Sequence, residues 1–147
     1  MRLHIVAAAT AIALSFLVPL TAAECPPAVS AAVQKAHAGA AIASCKQAKE
    51  RGRTQFEVKL VAMDGKRMSL DVSPDGTILL TEQSVAVSDV PPAVMTAFAA
   101  KYGAAKPTRA EMQTAADGKI TYEIAFAAGT KKKEATFASD GAFVEEE

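Results

Sequence analysis

Three short patterns occur twice in this chain, in the same order and about 65 residues apart. Pro-Pro-Ala-Val begins at Pro26 and again at Pro91. Gln-Phe-Glu-Val-Lys-Leu over 55–60 returns as Thr-Tyr-Glu-Ile-Ala-Phe over 121–126. Val-Ser-Pro-Asp-Gly-Thr-Ile over 72–78 returns as Phe-Ala-Ser-Asp-Gly-Ala-Phe over 137–143. Because an internal repeat determines the architecture before any single element does, we expect two similar units, residues 24–89 and 90–147.

The first 23 residues have the layout of a secretory signal peptide. The basic residue Arg2 precedes an apolar run over 5–20, and the small residues Thr21-Ala22-Ala23 follow it. An uncleaved membrane anchor is the alternative, but the run is shorter than the roughly 20 residues that a spanning helix needs. We therefore predict cleavage after Ala23, a periplasmic or secreted protein, and no stable membrane insertion after cleavage.

Charge excludes two classes of partner for the exported chain. Removing residues 1–23 leaves 15 basic and 16 acidic side chains, with one basic run at 131–133. Nucleic acids and anionic membrane surfaces require clustered positive charge. The sequence therefore predicts no nucleic-acid partner and no binding to an anionic membrane surface.

The two cysteines, Cys25 and Cys45, both lie in the exported part of the chain, where disulfides are permitted. Two thiols twenty positions apart, with His37 as the one histidine after cleavage, are too few for a four-ligand zinc site. A Cys25–Cys45 disulfide is therefore favoured over free thiols.

Each unit begins with a helical pattern and continues with strand patterns. In the first unit, Pro27 opens an apolar stripe that includes Val29 and Val33; in the second, Val94 and Phe98 form the stripe and Gly103 ends it. The strands alternate apolar and polar residues, and Asp-Gly turns separate several of them. The residues predicted to face inward include Phe56, Val58, Leu60, Met68, Leu70, Val72, Ile78, Leu80, Tyr122, Ile124, Phe126, Ala135, Phe137 and Phe143.

These patterns predict an α+β protein. A strand with one apolar face must cover that face, and the helix of the same unit is the natural cover. The connection over 83–88 is short and poor in glycine. We therefore expect the two units to join their edges into one continuous antiparallel sheet with both helices on one face.

The repeated pattern resembles the PepSY-like domain family, also described as β-lactamase-inhibitor-like. Pro92-Ala93-Val94 with Phe98 and Tyr102, Tyr122-Glu123-Ile124, and the ending Phe137-Ala138-Ser139-Asp140-Gly141 carry this resemblance, and the first unit has matching residues. His37 stands where Tyr102 stands in the second unit. The resemblance implies an exported protein without catalytic residues that binds or inhibits a partner protein. Fold alone does not transfer such a function.

Residues that could carry catalysis are few. His37 lies at the end of a predicted helix and is better explained as a structural residue, and Glu57 and Glu123 are better explained as solvent-facing strand residues than as an acid pair. No glycine loop of the phosphate-binding kind is present. The sequence therefore predicts a protein that is not an enzyme and has no metal or cofactor.

The leading hypothesis is a non-catalytic module that binds another exported protein through the solvent face of its sheet. The alternatives are an envelope protein that binds a small ligand between sheet and helices, and, less favoured, a small periplasmic enzyme. The charged residues expected on the binding face are Glu57, Lys59, Arg67, Glu123, Lys132 and Glu134.

Overall fold

A computed structural model describes residues 25–50 and 52–147. The predicted signal peptide over 1–23 lies outside the described residues. The elements, in chain order, are α1 (Pro27–Ala36), β1 (Ala41–Glu50), β2 (Arg53–Val61), β3 (Arg67–Val72), β4 (Ile78–Val85), a 3-10 helix (Val87–Asp89), α2 (Pro92–Tyr102), β5 (Pro107–Ala115), β6 (Ile120–Ala128), β7 (Lys131–Ala138) and β8 (Phe143–Glu146).

The eight strands form a single antiparallel sheet in which their spatial order equals their sequence order. The first half of the molecule (α1 and β1–β4) joins the second half (α2 and β5–β8) where β4 pairs with β5, from Leu80 opposite Ala115 to Val85 opposite Ala110. The prediction of one continuous sheet is confirmed.

Both helices cover the same face of this sheet. Directly paired residues of antiparallel strands point to the same face. Val58 is opposite Leu70, and the row continues through Thr81 to Thr114 on β5. Ala110 lies four residues before Thr114, so it shares their face, and its partner Ile124 does too. Since α1 packs on Val58 and Leu70 and α2 packs on Ala110 and Ile124, both helices lie on this side, called here the helix face.

Each helix has its own cluster of buried side chains. Val29 and Val33 of α1, both fully buried, pack on β2 and β3 of the first half. Val94 and Phe98 of α2 pack on β5, β6 and β7 of the second half. In each half the helix therefore covers its own strands.

A disulfide joins Cys25, just before α1, to Cys45 on β1, with the two Cα atoms 5.5 Å apart. Cys45 lies opposite Val58 and therefore faces the helix. The predicted bridge is confirmed. The matching positions in the second half, Val90 and Ala110, are buried apolar residues of its core.

The repeated Asp-Gly turns lie directly against the helices. Gly76 has φ +90°, and a Cβ on it would approach the Ala28 carbonyl oxygen to 2.8 Å. Gly141 has φ +91°, and its Cβ would approach the Ala93 oxygen to 2.7 Å. Only glycine accommodates both this backbone conformation and this contact. In each half, the motif at the start of the helix and the Asp-Gly motif thus contact each other directly.

Two sequence predictions are wrong at β4. The segment over 83–88 is not all linker, because β4 continues through Val85; the connection is the short 3-10 helix Val87–Asp89 with its flanking residues. Leu80 does not face inward. A bulge inserts Leu79, so that Val72 is opposite Ile78 while Asp71 is opposite Leu80. The extra residue turns Leu80 to the face away from the helices.

A bulge of the same kind occurs in β8. The predicted facing of Phe143 is correct, but its side chain is only partly covered there. Phe137 is opposite Phe143 while Thr136 is opposite Glu145, which leaves Val144 as the extra residue. Phe143 is on the helix face, as predicted, but it is 45% exposed at the end of the sheet. Its ring contacts Phe137, and the Lys101 ammonium lies 4.1 Å from its centroid.

Candidate binding face

No helix in the described part of the chain covers the other side of the sheet, and polar side chains cross it in rows. One row runs from β2 to β6 through paired residues, and a second begins at Ser84 on β4 and reaches Thr136 on β7. This surface is called here the open face. The two rows are Lys59, Ser69, Glu82, Gln113, Thr121 and Ser84, Glu111, Glu123, Thr136.

The open face contains a depression of 640 Å³ at its centre, where the two halves meet. Of the six predicted face residues, five line it: Glu57, Lys59, Arg67, Glu123 and Glu134. Lys132 does not. It lies beside Glu134 in a smaller depression near the start of β7. The central depression also contains residues that the sequence did not single out: Glu82, Ser84, Arg109 and Glu111.

Arg109 is the centre of the charge arrangement in the second half. Its guanidinium donates to Glu111 at 2.8 Å and to Glu134 at 2.6 Å, and it lies 3.6 Å from Glu123. These three carboxylates come from β5, β7 and β6, which are neighbours in the sheet. One cation therefore holds three acidic side chains together.

Gln113 extends this network across the junction between the halves. Its side-chain amide donates to Glu82 of β4 and to Glu123 of β6, each at 3.2 Å, and its amide oxygen accepts from the Thr121 hydroxyl at 3.0 Å. The Ser84 hydroxyl donates to Glu111 at 3.4 Å. A continuous polar network thus connects β4 with β7.

Carboxylates outnumber cations in this network, and the pKa values of several carboxyl groups on the open face are raised. Partial burial, together with Glu134, Glu111 and Glu82, raises the pKa of Glu123 to about 7 despite the nearby Arg109. Burial, followed by the charge of Glu111, also raises the pKa of Glu82. Burial and Glu50 raise the pKa of Asp71 on the adjoining β3. The centre of the open face therefore favours a neutralising proton or an approaching cation.

The geometry rejects one catalytic hypothesis. Glu57 on β2 and Glu123 on β6 lie four strand spacings apart, about 19 Å, which is well beyond the separation of paired catalytic carboxylates. Among the described residues, no group of three or more His, Cys, Asp or Glu side chains is arranged to hold a metal ion. None of the helices in the described part of the chain has the length and apolar character required to cross a bilayer.

Solved structures of three Bacteroides proteins have this fold. A protein described as periplasmic from Bacteroides eggerthii has a TM-score of 0.70 at 18% identity, with 85% of this chain and 89% of that one covered. A DUF2874 family protein from Bacteroides uniformis has a TM-score of 0.69 at 16% identity, with 84% and 89% covered. A BLIP-like protein from Bacteroides fragilis has a TM-score of 0.62 at 20% identity, with 82% and 83% covered.

No protein-family model and no curated protein matches the sequence. At these identities the structural likeness shows the fold alone, a BLIP-like arrangement of two helices on one eight-stranded sheet.

Proposed function

We propose that this protein is an exported, non-catalytic module that binds another exported protein through the open face of its sheet. The observation that carries the proposal is the continuity of that face: one uncovered, charged surface crosses both halves and has its depression at their junction. The signal-like sequence over 1–23 and the Cys25–Cys45 disulfide support export. The BLIP-like and periplasmic descriptions of the structural neighbours agree with this proposal.

The charge of the depression indicates the chemistry of the partner. Glu111, Glu123 and Glu134 surround Arg109, and Glu82 joins them through Gln113, while Lys59 is already paired with Glu57 at 3.2 Å. An excess of partly buried carboxylates complements a partner that presents a lysine or arginine side chain. Complementary charges of this kind determine specificity and association rate more than raw affinity.

The small-ligand alternative receives less support, because the space between sheet and helices is filled. Val29, Val33 and Val94 are fully buried, and Phe98 is 1% exposed. The central depression is lined mainly by charged side chains, whereas pockets for small ligands are mostly apolar.

The PepSY-like resemblance and the domain division belong to the same proposal. The order of one helix and four strands, followed by one helix and four strands, supports two repeat units over 24–89 and 90–147. The glycine contacts at Gly76 and Gly141, which are alike in the two halves, support it further.

The test requires a partner captured from an envelope extract, then purified and titrated with variants. At pH 8, where the Glu123 carboxyl is ionised, Glu82→Gln with Glu123→Gln removes two charges from the centre while retaining side-chain shape. Lys132→Gln, outside the central depression, is the matched control. We expect the double variant to bind at least about tenfold more weakly and Lys132→Gln to bind like wild type, with affinity falling as salt rises. A folded double variant that binds like wild type would falsify the open face as the binding surface.

A further inference from the structure

A second depression, of 390 Å³, lies at the C-terminal end of α1. His37, Met63 and Met68 all line it. His37 is the only histidine in the described residues, and Met63 and Met68 are two of the four methionines there. One imidazole and two thioethers thus share one small surface. Its other lining residues are Ala38, Ala40, Ala62, Asp64, Lys66 and Gln83.

Secondary structure fixes the backbone of two of these residues. His37 caps α1: its N–H donates to the Val33 oxygen at 2.8 Å, and its carbonyl oxygen accepts from the Ala40 N–H at 3.0 Å. Met68 lies on β3 opposite Leu60, on the helix face, and packs partly buried against the first core. Met68 therefore lines the depression from a strand of the sheet.

Met63 is the adaptable donor of the set. It lies in the turn between β2 and β3, and its side chain is 82% exposed, so burial does not account for an apolar residue there. Its sulfur lies over Gly39, two residues from His37, where an added Cβ would come within 2.7 Å of it. The three rotatable bonds of methionine allow the sulfur to move toward a bound ion.

We propose that His37, Met63 and Met68 form a binding site for monovalent copper. Thioethers are soft ligands that select Cu(I), and imidazole also suits copper. Hard divalent ions prefer carboxylate and water oxygens. Lys66 and Asp64, which line the same depression, form an ion pair at 3.1 Å and leave the local charge balanced. A singly charged ion that needs no carboxylate is the kind of cation that these donors take.

The second half shows that the repeat fold does not require such donors. At the end of α2, Tyr102 stands in the place of His37 and donates to Glu146 at 2.6 Å. Lys133, in the place of Met68, pairs with the same carboxylate. Hydrogen bonds therefore close this corner in the second half, whereas an imidazole and two thioethers line the corresponding depression in the first half.

The experiment titrates the disulfide-intact protein with Cu(I) under ascorbate and without oxygen, in competition with a chromophoric Cu(I) chelator. Ag(I) is the redox-inert probe for NMR of the methionine methyl groups. We expect one Cu(I) per chain and shifts of the Met63 and Met68 methyl signals. Met63→Leu and His37→Asn should each weaken Cu(I) binding about tenfold or more, since even groups that only orient ligands are commonly worth that much.

Met95→Leu is the matched control, because Met95 packs in the other half and should leave Cu(I) affinity unchanged. Met63 is so exposed that Met63→Leu tests the ligand without disturbing the fold. The proposal is overturned if no Cu(I) is retained against the chelator, or if Met63→Leu and Met95→Leu lose affinity equally. Tighter binding of Zn²⁺ than of Cu(I) also overturns it.

Discussion

The two halves of the molecule place equivalent residues in their cores and fill them differently. Val33, Leu60 and Val72 of the first half correspond to Phe98, Phe126 and Phe137 of the second. Leu70 corresponds to the smaller Ala135. One framework of a helix on four strands thus accepts two sets of core side chains that share the same apolar pattern.

The halves also differ in what supplements that packing. In the second half, the Phe98 ring meets Phe126 edge-on at 5.2 Å and Phe137 at 6.4 Å, and Tyr102 lies 4.4 Å from Phe126. The first-half helix has no aromatic residue, and a disulfide ties its start to β1. The second half thus has an aromatic cluster in addition to its helix packing, whereas the first half has a covalent bond.

The largest effect expected from this comparison is at Phe98. Phe98→Ala should cost about 3–5 kcal/mol of unfolding free energy, because it removes a buried ring that three other rings contact. Val33→Ala, at the equivalent position, should cost about 2 kcal/mol, since it removes less apolar volume. Urea unfolding followed by circular dichroism measures both. Equal losses would mean that the aromatic cluster adds nothing.

Replacing the cysteines of the first half with the equivalent residues of the second half tests how much the disulfide contributes to stability. Cys25→Val with Cys45→Ala reproduces the pair Val90 and Ala110 and opens a bridge between residues 20 positions apart. We expect a loss of about 3 kcal/mol, and a larger loss for the double serine variant, which puts hydroxyl groups into the core. Thermal and urea unfolding without reductant measure the difference. A valine–alanine variant as stable as wild type would show that packing alone suffices.

A smaller effect is expected at Glu123, and it depends on pH. The folded protein holds a proton on Glu123 up to about pH 7, whereas the unfolded chain releases it near pH 4.5. The folded state binds more protons in this window, so the Glu123 contribution to stability is present below pH 4.5 and is lost as pH rises through 7. Glu123→Gln should remove this decline and stabilise the protein at pH 8 by about 1 kcal/mol after allowance for solvent screening.

Unfolding free energies of Glu123→Gln and wild type between pH 4 and pH 8 test this prediction. Glu57→Gln is the matched control. Glu57 is the equivalent residue of the first half, is more exposed and pairs with Lys59. We expect it to change stability by less than about 0.5 kcal/mol. Parallel curves of unfolding free energy against pH for wild type and Glu123→Gln would contradict the raised pKa of Glu123.

The smallest effect is expected at Leu80. Because the bulge turns Leu80 to the open face, Leu80→Thr should cost less than about 1 kcal/mol. Leu60→Thr, which puts a hydroxyl group at a position 1% exposed, should cost about 3 kcal/mol. Urea midpoints compare the two. A large loss at Leu80 would place that side chain in the core.

The fold was predictable to the extent that it depends on alternation and repetition. Val58 with Leu70, and Ile124 with Ala135, keep the strict two-residue period and lie where the pattern places them. The period fails at Leu79 and Val144, because a bulge inserts one residue and reverses the facing of the residues after it. The hydrogen bonds of a neighbouring strand produce that change, and the local sequence does not reveal it.

Sequence alternation predicts which residues lie on the open face, but it does not predict the charge cluster at the centre of that face. Alternation assigned Glu57, Lys59 and Arg67 to the face away from the helices. The cluster around Arg109 depends on strand register, which brings Glu111, Glu123 and Glu134 together from three strands. The pairing of β4 with β5 adds Glu82 to it. A sequence without its register cannot place these charges beside each other.

The contact between each Asp-Gly turn and the start of its helix sets a limit on divergence within this chain. The cores differ by valine against phenylalanine and leucine against alanine, yet Gly76 and Gly141 both lie within van der Waals reach of an alanine carbonyl. Apolar volume can be redistributed among neighbours, but a backbone-to-backbone approach leaves no neighbour to give way. The two motifs can therefore stay alike in both halves because their backbones are in direct contact, while the side chains around them vary.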